Sequence, residues 1–91
     1  MLSVQHIANE FHIDKNLLIK ESIKLYIHQQ LVKLETELFK YAKKYGVKNV
    51  LEMDEKLKNG LLKEDEIIDD FFTFDSLEAE RERLKNLLEI F

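Results

Sequence analysis

Apolar side chains recur three or four positions apart along most of this chain, the spacing that gathers them on one face of an α-helix. The longest such run lies between Lys15 and Tyr45, where neither proline nor glycine interrupts it. Asp14 stands before the run as a favourable N-cap, and Gly46 follows it where a left-handed terminal residue belongs. The pattern therefore predicts a long helix over residues 14–46.

This long segment carries two rows of apolar residues. The first row has the alternating four- and three-residue spacing of a heptad seam. It consists of Ile27, Leu31, Leu34, Leu38, Tyr41 and Tyr45. The second row repeats every seven residues and consists of Leu18, Leu25, Val32 and Phe39. A stripe this broad needs more than one neighbouring helix, so we expect the first row to form the seam of the core or of a homodimer.

Shorter helices are predicted on either side of the long one. Ser3 is a suitable N-cap, so residues 1–13 are predicted to be a short helix followed by a turn. The apolar spacing then resumes after Gly46 and stops at the Asn59–Gly60 pair, which is typical of turns. Residues 47–60 are therefore predicted to contain a second short helix.

The C-terminal residues repeat the heptad spacing. Asp75 looks like an N-cap, and Glu78 stands three residues later, where it would complete a capping box. A separate helix is therefore predicted over residues 76–91, with the seam Leu77, Arg81, Leu84, Leu88 and Phe91. The predicted fold is all-α and forms one domain over residues 1–91. The long helix pairs with the C-terminal helix as an antiparallel hairpin, short helices cover the ends, and we expect two copies to form a dimeric bundle through the long helix.

Composition agrees with a helical protein. The chain has no proline and two glycines, and its apolar fraction of 45% is too high for a disordered segment. The absence of cysteine excludes disulfides and thiolate metal sites. No apolar run approaches the roughly 18 residues of a membrane span, and no leader pattern precedes the first helix. We therefore expect a cytoplasmic protein without a membrane segment.

The formal net charge of −4 is unevenly distributed. Residues 1–48 hold eight lysines and five acidic residues, a balance of +3. Residues 49–91 hold six basic and thirteen acidic residues, a balance of −7. This division indicates that the C-terminal half meets a positively charged surface, or lies along the basic half of its own chain or of a second copy. The alternative is that both halves are solvated helix faces.

The most distinctive stretch is the acidic-aromatic segment over residues 61–75. It combines six carboxylates with three phenylalanines, and no basic residue lies between Lys63 and Arg81. If the segment is helical, Phe71 and Phe74 share a face and Phe72 points about 100° away. Phe72 and the neighbouring aspartates would then be exposed for a partner, although all three rings could instead be buried between helices. The candidate partner-binding residues are Asp69, Asp70, Phe71, Phe72, Phe74, Asp75 and Arg81.

Arg81 is unusual because it occupies an apolar seam position. A seam arginine either pairs with a carboxylate across the interface or extends its head group to solvent. Glu35 and Glu37 on the long helix are the candidate partners. An ion pair there would fix the register of the helices or the choice of partner.

Residues 4–24 resemble a helix-turn-helix, with Ala8 at the small-residue position and Ile13 in the turn. Two features depart from that motif: His12 replaces the usual turn glycine, and no third helix precedes Val4. The candidate DNA-contacting residues are Lys15, Asn16 and Lys20. The alternative is a helical hairpin whose short arm covers the long helix.

Catalytic and metal-binding patterns are absent from the sequence. His6, His12 and His28 lack the spacing of metal ligands, and no Glu-x-x-His pair accompanies the carboxylates. The serines match no nucleophile motif, and no glycine-rich phosphate loop is present. The sequence therefore predicts no enzyme activity, no metal and no cofactor.

The order of these features resembles a group of small helical antitoxin-like proteins from archaeal and bacterial toxin–antitoxin gene pairs. The matching segments are Leu18–Ile23 (LIKESI), Lys44–Val47 (KYGV) and Asp70–Leu77 (DFFTFDSL). The resemblance implies that the chain binds and neutralises a cognate toxin with a basic surface, an RNA- or nucleotide-acting enzyme. Such proteins often also bind their own operator. The alternatives are a DNA-binding transcriptional regulator that uses residues 4–24, and a structural helical subunit of another complex.

Overall fold

The computed structural model describes residues 3–91, and within that range it contains four α-helices and no strand. They are α1 (Val4–Glu10), α2 (Lys15–Tyr45), α3 (Val50–Lys58) and α4 (Glu64–Glu89). The predicted all-α class is confirmed. The predicted pairing of the long helix with the C-terminal helix is also confirmed, because α2 packs against α4.

Local capping sets the ends of the first three helices. The side chains of Ser3 and Asp14 accept hydrogen bonds from the backbone N–H groups of His6 and Leu17, both at 3.1 Å. Asn49 caps α3 in the same way. Gly46 ends α2 with a φ of 64°, a left-handed conformation that a residue without a Cβ adopts at little cost.

The predicted break before residue 76 is wrong. Residues 64–89 form one continuous helix, and Asp75 lies in its interior rather than at an N-cap. The expected capping-box partner, Glu78, instead accepts a hydrogen bond from the backbone N–H of Val50 at 2.7 Å. No proline or glycine follows Gly60, so nothing obliges the helix to stop. Continuity also keeps Phe74, just before the predicted break, in the core at 1% exposure.

The core has two parts along the α2–α4 contact. The larger cluster lies where α2, α3 and α4 meet, and its buried residues are Leu38, Val47, Met53, Ile67 and Phe74. The smaller cluster lies further along the hairpin and contains Ile27, Leu31 and Leu84. Leu34 and Tyr41 pack against these clusters as partly buried residues. The first apolar row of α2 is therefore occupied by α4 of the same chain and is not a free surface for a second copy.

Candidate interaction face on the C-terminal helix

The three phenylalanines of the acidic-aromatic segment point in different directions. Phe74 is buried, and its ring centroid lies 5.9 Å from that of Tyr41 on α2. Phe71 is half-buried against the larger core cluster. Phe72 is 59% exposed and meets the Phe71 ring edge-on, with the centroids 5.9 Å apart. The expectation from helix phase, with Phe71 and Phe74 inward and Phe72 outward, is confirmed.

Two aspartates lie beside the exposed Phe72 ring. Asp69 and Asp75 stand three residues before and after it, so their side chains lie about 60° to either side of the ring on the neighbouring helical turns. Both aspartates are exposed and make no ion pair or hydrogen bond to another side chain among residues 3–91. A shallow hollow adjoins the ring and is lined by Phe72, Thr73, Ser76, Leu77 and Glu80. We call Asp69, Phe72 and Asp75 the outer face of α4.

Asp70 has a different role from these neighbours. Its carboxylate accepts a hydrogen bond from Lys44 Nζ at 2.7 Å and another from the Tyr45 hydroxyl. These hydrogen bonds, with that from Lys44 the larger influence, hold the pKa of Asp70 below its usual 3.8. The same contact raises the pKa of Lys44. Asp70 therefore fastens the C-terminal end of α2 to α4 and is not a free carboxylate for a partner.

Other carboxylates of the segment have a structural explanation. Glu64, Asp65 and Glu66 form the first turn of α4, where Lys63 provides no side-chain cap. Negative charge at a helix N-terminus is stabilised by the helix dipole and by the unpaired backbone N–H groups. The acidity of this stretch thus serves helix formation in its first turn. Of the six carboxylates in the acidic-aromatic segment, Asp69 and Asp75 therefore remain to give the outer face its negative charge.

Arg81 does not form the predicted ion pair. Among the described residues it makes no salt bridge with Glu35 or Glu37, and Glu37 pairs instead with Lys40 at 3.0 Å. The Nε atom of Arg81 is shielded from solvent and has no hydrogen-bond partner within residues 3–91. The side chain is half-buried and lines a depression with Glu35 and Lys48. It therefore lies away from the outer face, toward α2 and the loop after it.

Three residues that organise the site were not identified as partners from the sequence. Tyr45 was expected only as the last member of the first apolar row, Lys44 appeared only in the KYGV segment, and Glu78 was expected only to cap a helix beginning at residue 76. Each in fact contacts a residue at least 25 positions away. Local spacing carries no signal for such contacts, although a lysine-tyrosine pair opposite an acidic helix is electrostatically compatible with them.

The N-terminal segment reproduces part of a helix-turn-helix. Ala8 is fully buried, and His12 adopts a φ of 53° in the turn, where a glycine is usual. An apolar groove of about 380 Å³ lies open between α1 and α2, lined by Ser3, Val4, Ile7, Leu18, Ile19, Ser22 and Ile23. Lys15, Asn16 and Lys20 are exposed, but helical phase spreads them over about 140° of the α2 surface. The three do not form one reading face.

Metal-binding clusters and membrane-spanning helices are both missing from residues 3–91. No three histidine, aspartate or glutamate side chains there come together as a group that could hold a metal ion. No helix in the same range is long and apolar enough to cross a membrane.

Comparison with known proteins gives a family. Residues 1–90 match the Uncharacterized protein MJ0235 family. The chain is 39% identical over 71 residues to the Uncharacterized protein MJ0235 of Methanocaldococcus jannaschii, covering 78% of this chain and 87% of that protein. No solved structure matches the chain. Neither description mentions a toxin, an antitoxin or DNA, so the antitoxin resemblance stays a prediction. The chain belongs to the Uncharacterized protein MJ0235 family.

Proposed function

We propose that this protein is an antitoxin-like interaction protein whose outer face of α4 docks on a basic, partly apolar surface of a partner protein. The observation that carries the proposal is the exposure of Phe72, 59% of whose surface faces solvent between two aspartates that make no ion pair within residues 3–91. A large aromatic side chain at the centre of a polar rim is a frequent composition of interface hot spots. The free chain therefore already presents the exposed aromatic anchor that a docking site requires.

The charge of the outer face indicates the kind of partner. Asp69 and Asp75 flank the ring, and residues 49–91 as a whole have a charge balance of −7. Complementary charge speeds association and selects against acidic partners. Enzymes that act on RNA carry basic clefts for phosphates, and an acidic helix with an aromatic anchor can occupy such a cleft in place of nucleic acid. The partner that fits this chemistry best is a toxin acting on RNA or on nucleotides.

The structure of α4 suits this role because the outer face is held rigid. Phe71 and Phe74 pack inward, and Asp70 binds Lys44 and Tyr45 on α2. A partner would therefore meet a preformed helix face and would not have to order it. Pre-organisation of this kind lowers the entropic cost of binding.

The test is co-expression with the product of the adjacent gene, followed by measurement of the complex and of the partner's RNA-cleaving or nucleotide-modifying activity. The proposal expects a stoichiometric complex in which that activity is inhibited. Phe72→Ala should weaken binding by about 2 kcal/mol, or roughly 30-fold in Kd. Phe11→Ala is the matched control, because Phe11 is 74% exposed but lies outside α4. Equal binding by both variants would remove the outer face from the interface.

A DNA-binding regulator that uses residues 4–24 is the second candidate. The buried Ala8 and the turn at His12 favour it, whereas the dispersed positions of Lys15, Asn16 and Lys20 do not. This function requires binding to the upstream DNA whose log affinity falls steeply with log salt concentration. A third candidate, a structural subunit of another complex, would bind a partner without inhibiting any activity.

A further inference from the structure

Three of the four residues in the second apolar row of α2 are left uncovered by the rest of residues 3–91. Leu25, Val32 and Phe39 are 59%, 63% and 67% exposed, respectively. Val32 and Phe39 directly follow the buried Leu31 and Leu38, so the row is turned by about 100° around α2 from the residues that meet α4. Single exposed apolar residues are ordinary, but three at a strict seven-residue repeat form a stripe along one side of the helix.

The chain exposes more surface than a monomer of its size normally does. Its solvent-accessible surface is 7010 Å², whereas the usual scaling for folded monomers of this mass gives about 5,600 Å². The difference of about 1,400 Å² exceeds the roughly 800 Å² that each partner buries in a standard interface. The radius of gyration is 19.3 Å, against about 12 Å for a compact domain of this length. The excess accessible surface of this elongated chain is therefore large enough for the interface of a stable dimer.

We propose that a second copy of this chain packs on the stripe, with the two α2 helices parallel and in register. Gln29 and Thr36 alternate with the three apolar residues at heptad spacing. In a parallel pair each residue meets its own copy, so Leu25, Val32 and Phe39 form apolar layers and the two polar residues form layers between them. In an antiparallel pair every apolar residue would lie opposite a polar one. Parallel packing therefore avoids burying Gln29 and Thr36 against apolar side chains.

The charges beside the stripe favour the same orientation. Glu35 lies on one flank and Lys40 on the other, five residues later. In a parallel two-stranded coiled coil this is the spacing at which flanking residues of the two chains meet, so Glu35 of each chain faces Lys40 of its copy. Lys40 now pairs with Glu37 on the surface, an exposed contact that is easily exchanged. An antiparallel pair would instead bring the flank that holds Lys33 and Lys40 against its own copy, lysine facing lysine.

Other residues set the ends of the contact. Towards the N-terminus, Leu18 continues the row but lines the groove beside α1 and is half-buried there. Towards the C-terminus, Lys43 follows Phe39 at heptad spacing and would bring two ammonium groups together. The contact therefore runs from Leu25 to Phe39. It does not depend on the proposed function, because the outer face lies on α4.

Molar mass in solution is the first test of the proposal. At micromolar concentration light scattering should give twice the chain mass of 10.9 kDa. The pair Leu25→Glu and Val32→Glu should yield a monomer with unchanged helical circular dichroism, since both side chains are exposed within one chain. Leu51→Glu with Leu61→Glu is the control, because these residues are 65% and 70% exposed but lie outside α2. A monomeric unmodified protein, or a dimer that survives the α2 pair, would overturn the proposal.

Disulfide trapping tests the orientation, and the absence of cysteine from the chain makes it unambiguous. Leu25→Cys and Phe39→Cys, each alone, should oxidise to a covalent dimer because each residue meets its own copy. In an antiparallel pair that sets Leu25 opposite Thr36 of the copy, the two copies of residue 25 would lie about 16 Å apart along the axis, beyond the roughly 7 Å limit between Cα atoms of a disulfide. Glu37→Cys, on another side of α2, is the control. A dimer that neither seam cysteine traps would refute the parallel arrangement.

Discussion

The hydroxyl of Tyr45 donates a hydrogen bond to the carboxylate of Asp70, which lies 25 residues later and on a different helix. The bond is partly buried, and Tyr45 packs against the larger core cluster. We expect Tyr45→Phe to lower the free energy of unfolding by about 1 kcal/mol, because it removes the bond and little packing. For a domain of this size that corresponds to a fall in Tm of about 4–8 °C.

Thermal and urea unfolding of the unmodified protein and of Tyr45→Phe measure this loss of stability. Tyr26→Phe is the matched control, because Tyr26 is 63% exposed and its hydroxyl has no protein partner among residues 3–91. Equal losses in both variants would show that the Tyr45–Asp70 bond does not stabilise the hairpin.

Acid should weaken the same contact through Asp70. The hydrogen bonds from Lys44 and Tyr45 hold the pKa of Asp70 below its usual 3.8 in the folded chain. Because the folded pKa is depressed, this stabilisation is present above the unfolded pKa and is lost as the pH falls through the folded value. Asp70→Asn should therefore flatten the decline in stability below about pH 4. Asp75→Asn, which alters an exposed aspartate outside this contact, serves as the control in urea titrations at stepped pH.

Alkali should also weaken this contact, but here stability is lost as the pH rises. Burial, followed by the hydrogen bond to Asp70, raises the pKa of Tyr45 above 10.0. The hydrogen bond to Asp70 raises the pKa of Lys44 above 10.5. Stability from these groups is present below the unfolded pKa values and is lost as the pH rises through the folded values. Tyr45→Phe should therefore show a smaller loss of stability above pH 10 than the unmodified protein; an identical alkaline limb would contradict this.

Local signals predicted most of the helix boundaries. Ser3 and Asp14 cap through a backbone N–H three residues away, and Gly46 ends α2 by its own conformation. Each of these devices is contained within one helical turn, so spacing alone reveals it. Helix phase likewise gave the directions of Phe72 and Phe74, because 100° per residue is a local property.

Tertiary contacts explain what the sequence did not predict. Asp75 has the residue types of a capping box around it, but the same residues also suit a helix interior. Because α4 is continuous, Glu78 lies within hydrogen-bonding distance of Val50, 28 residues away. No local sequence pattern predicts a contact between residues so far apart. Asp70 belonged to the predicted binding set by composition, yet its partners on α2 remove it from the outer face.

The Glu78–Val50 contact yields a further prediction. The Glu78 carboxylate caps the N-terminus of α3 from outside that helix, at 2.7 Å from the Val50 nitrogen. Glu78→Ala should lower the free energy of unfolding by about 1 kcal/mol, a typical loss for a helix cap. Amide hydrogen exchange should accelerate first in α3, because it is short and loses one of its hydrogen bonds to α4. Glu82→Ala, at an exposed position of α4, should leave exchange in α3 unchanged; equal acceleration would contradict the assigned cap.

Phe74 and Phe72, two positions apart on α4, should lose very different amounts of stability on truncation. Phe74 is 1% exposed in the larger core cluster, so Phe74→Ala should cost about 3–5 kcal/mol of stability. Phe72→Ala removes an exposed ring with one edge contact to Phe71 and should cost less than about 1 kcal/mol. Urea unfolding of both variants measures the difference. If Phe72→Ala destabilised the chain as much as Phe74→Ala, the ring would belong to the core, and the outer face of α4 would lose its aromatic anchor.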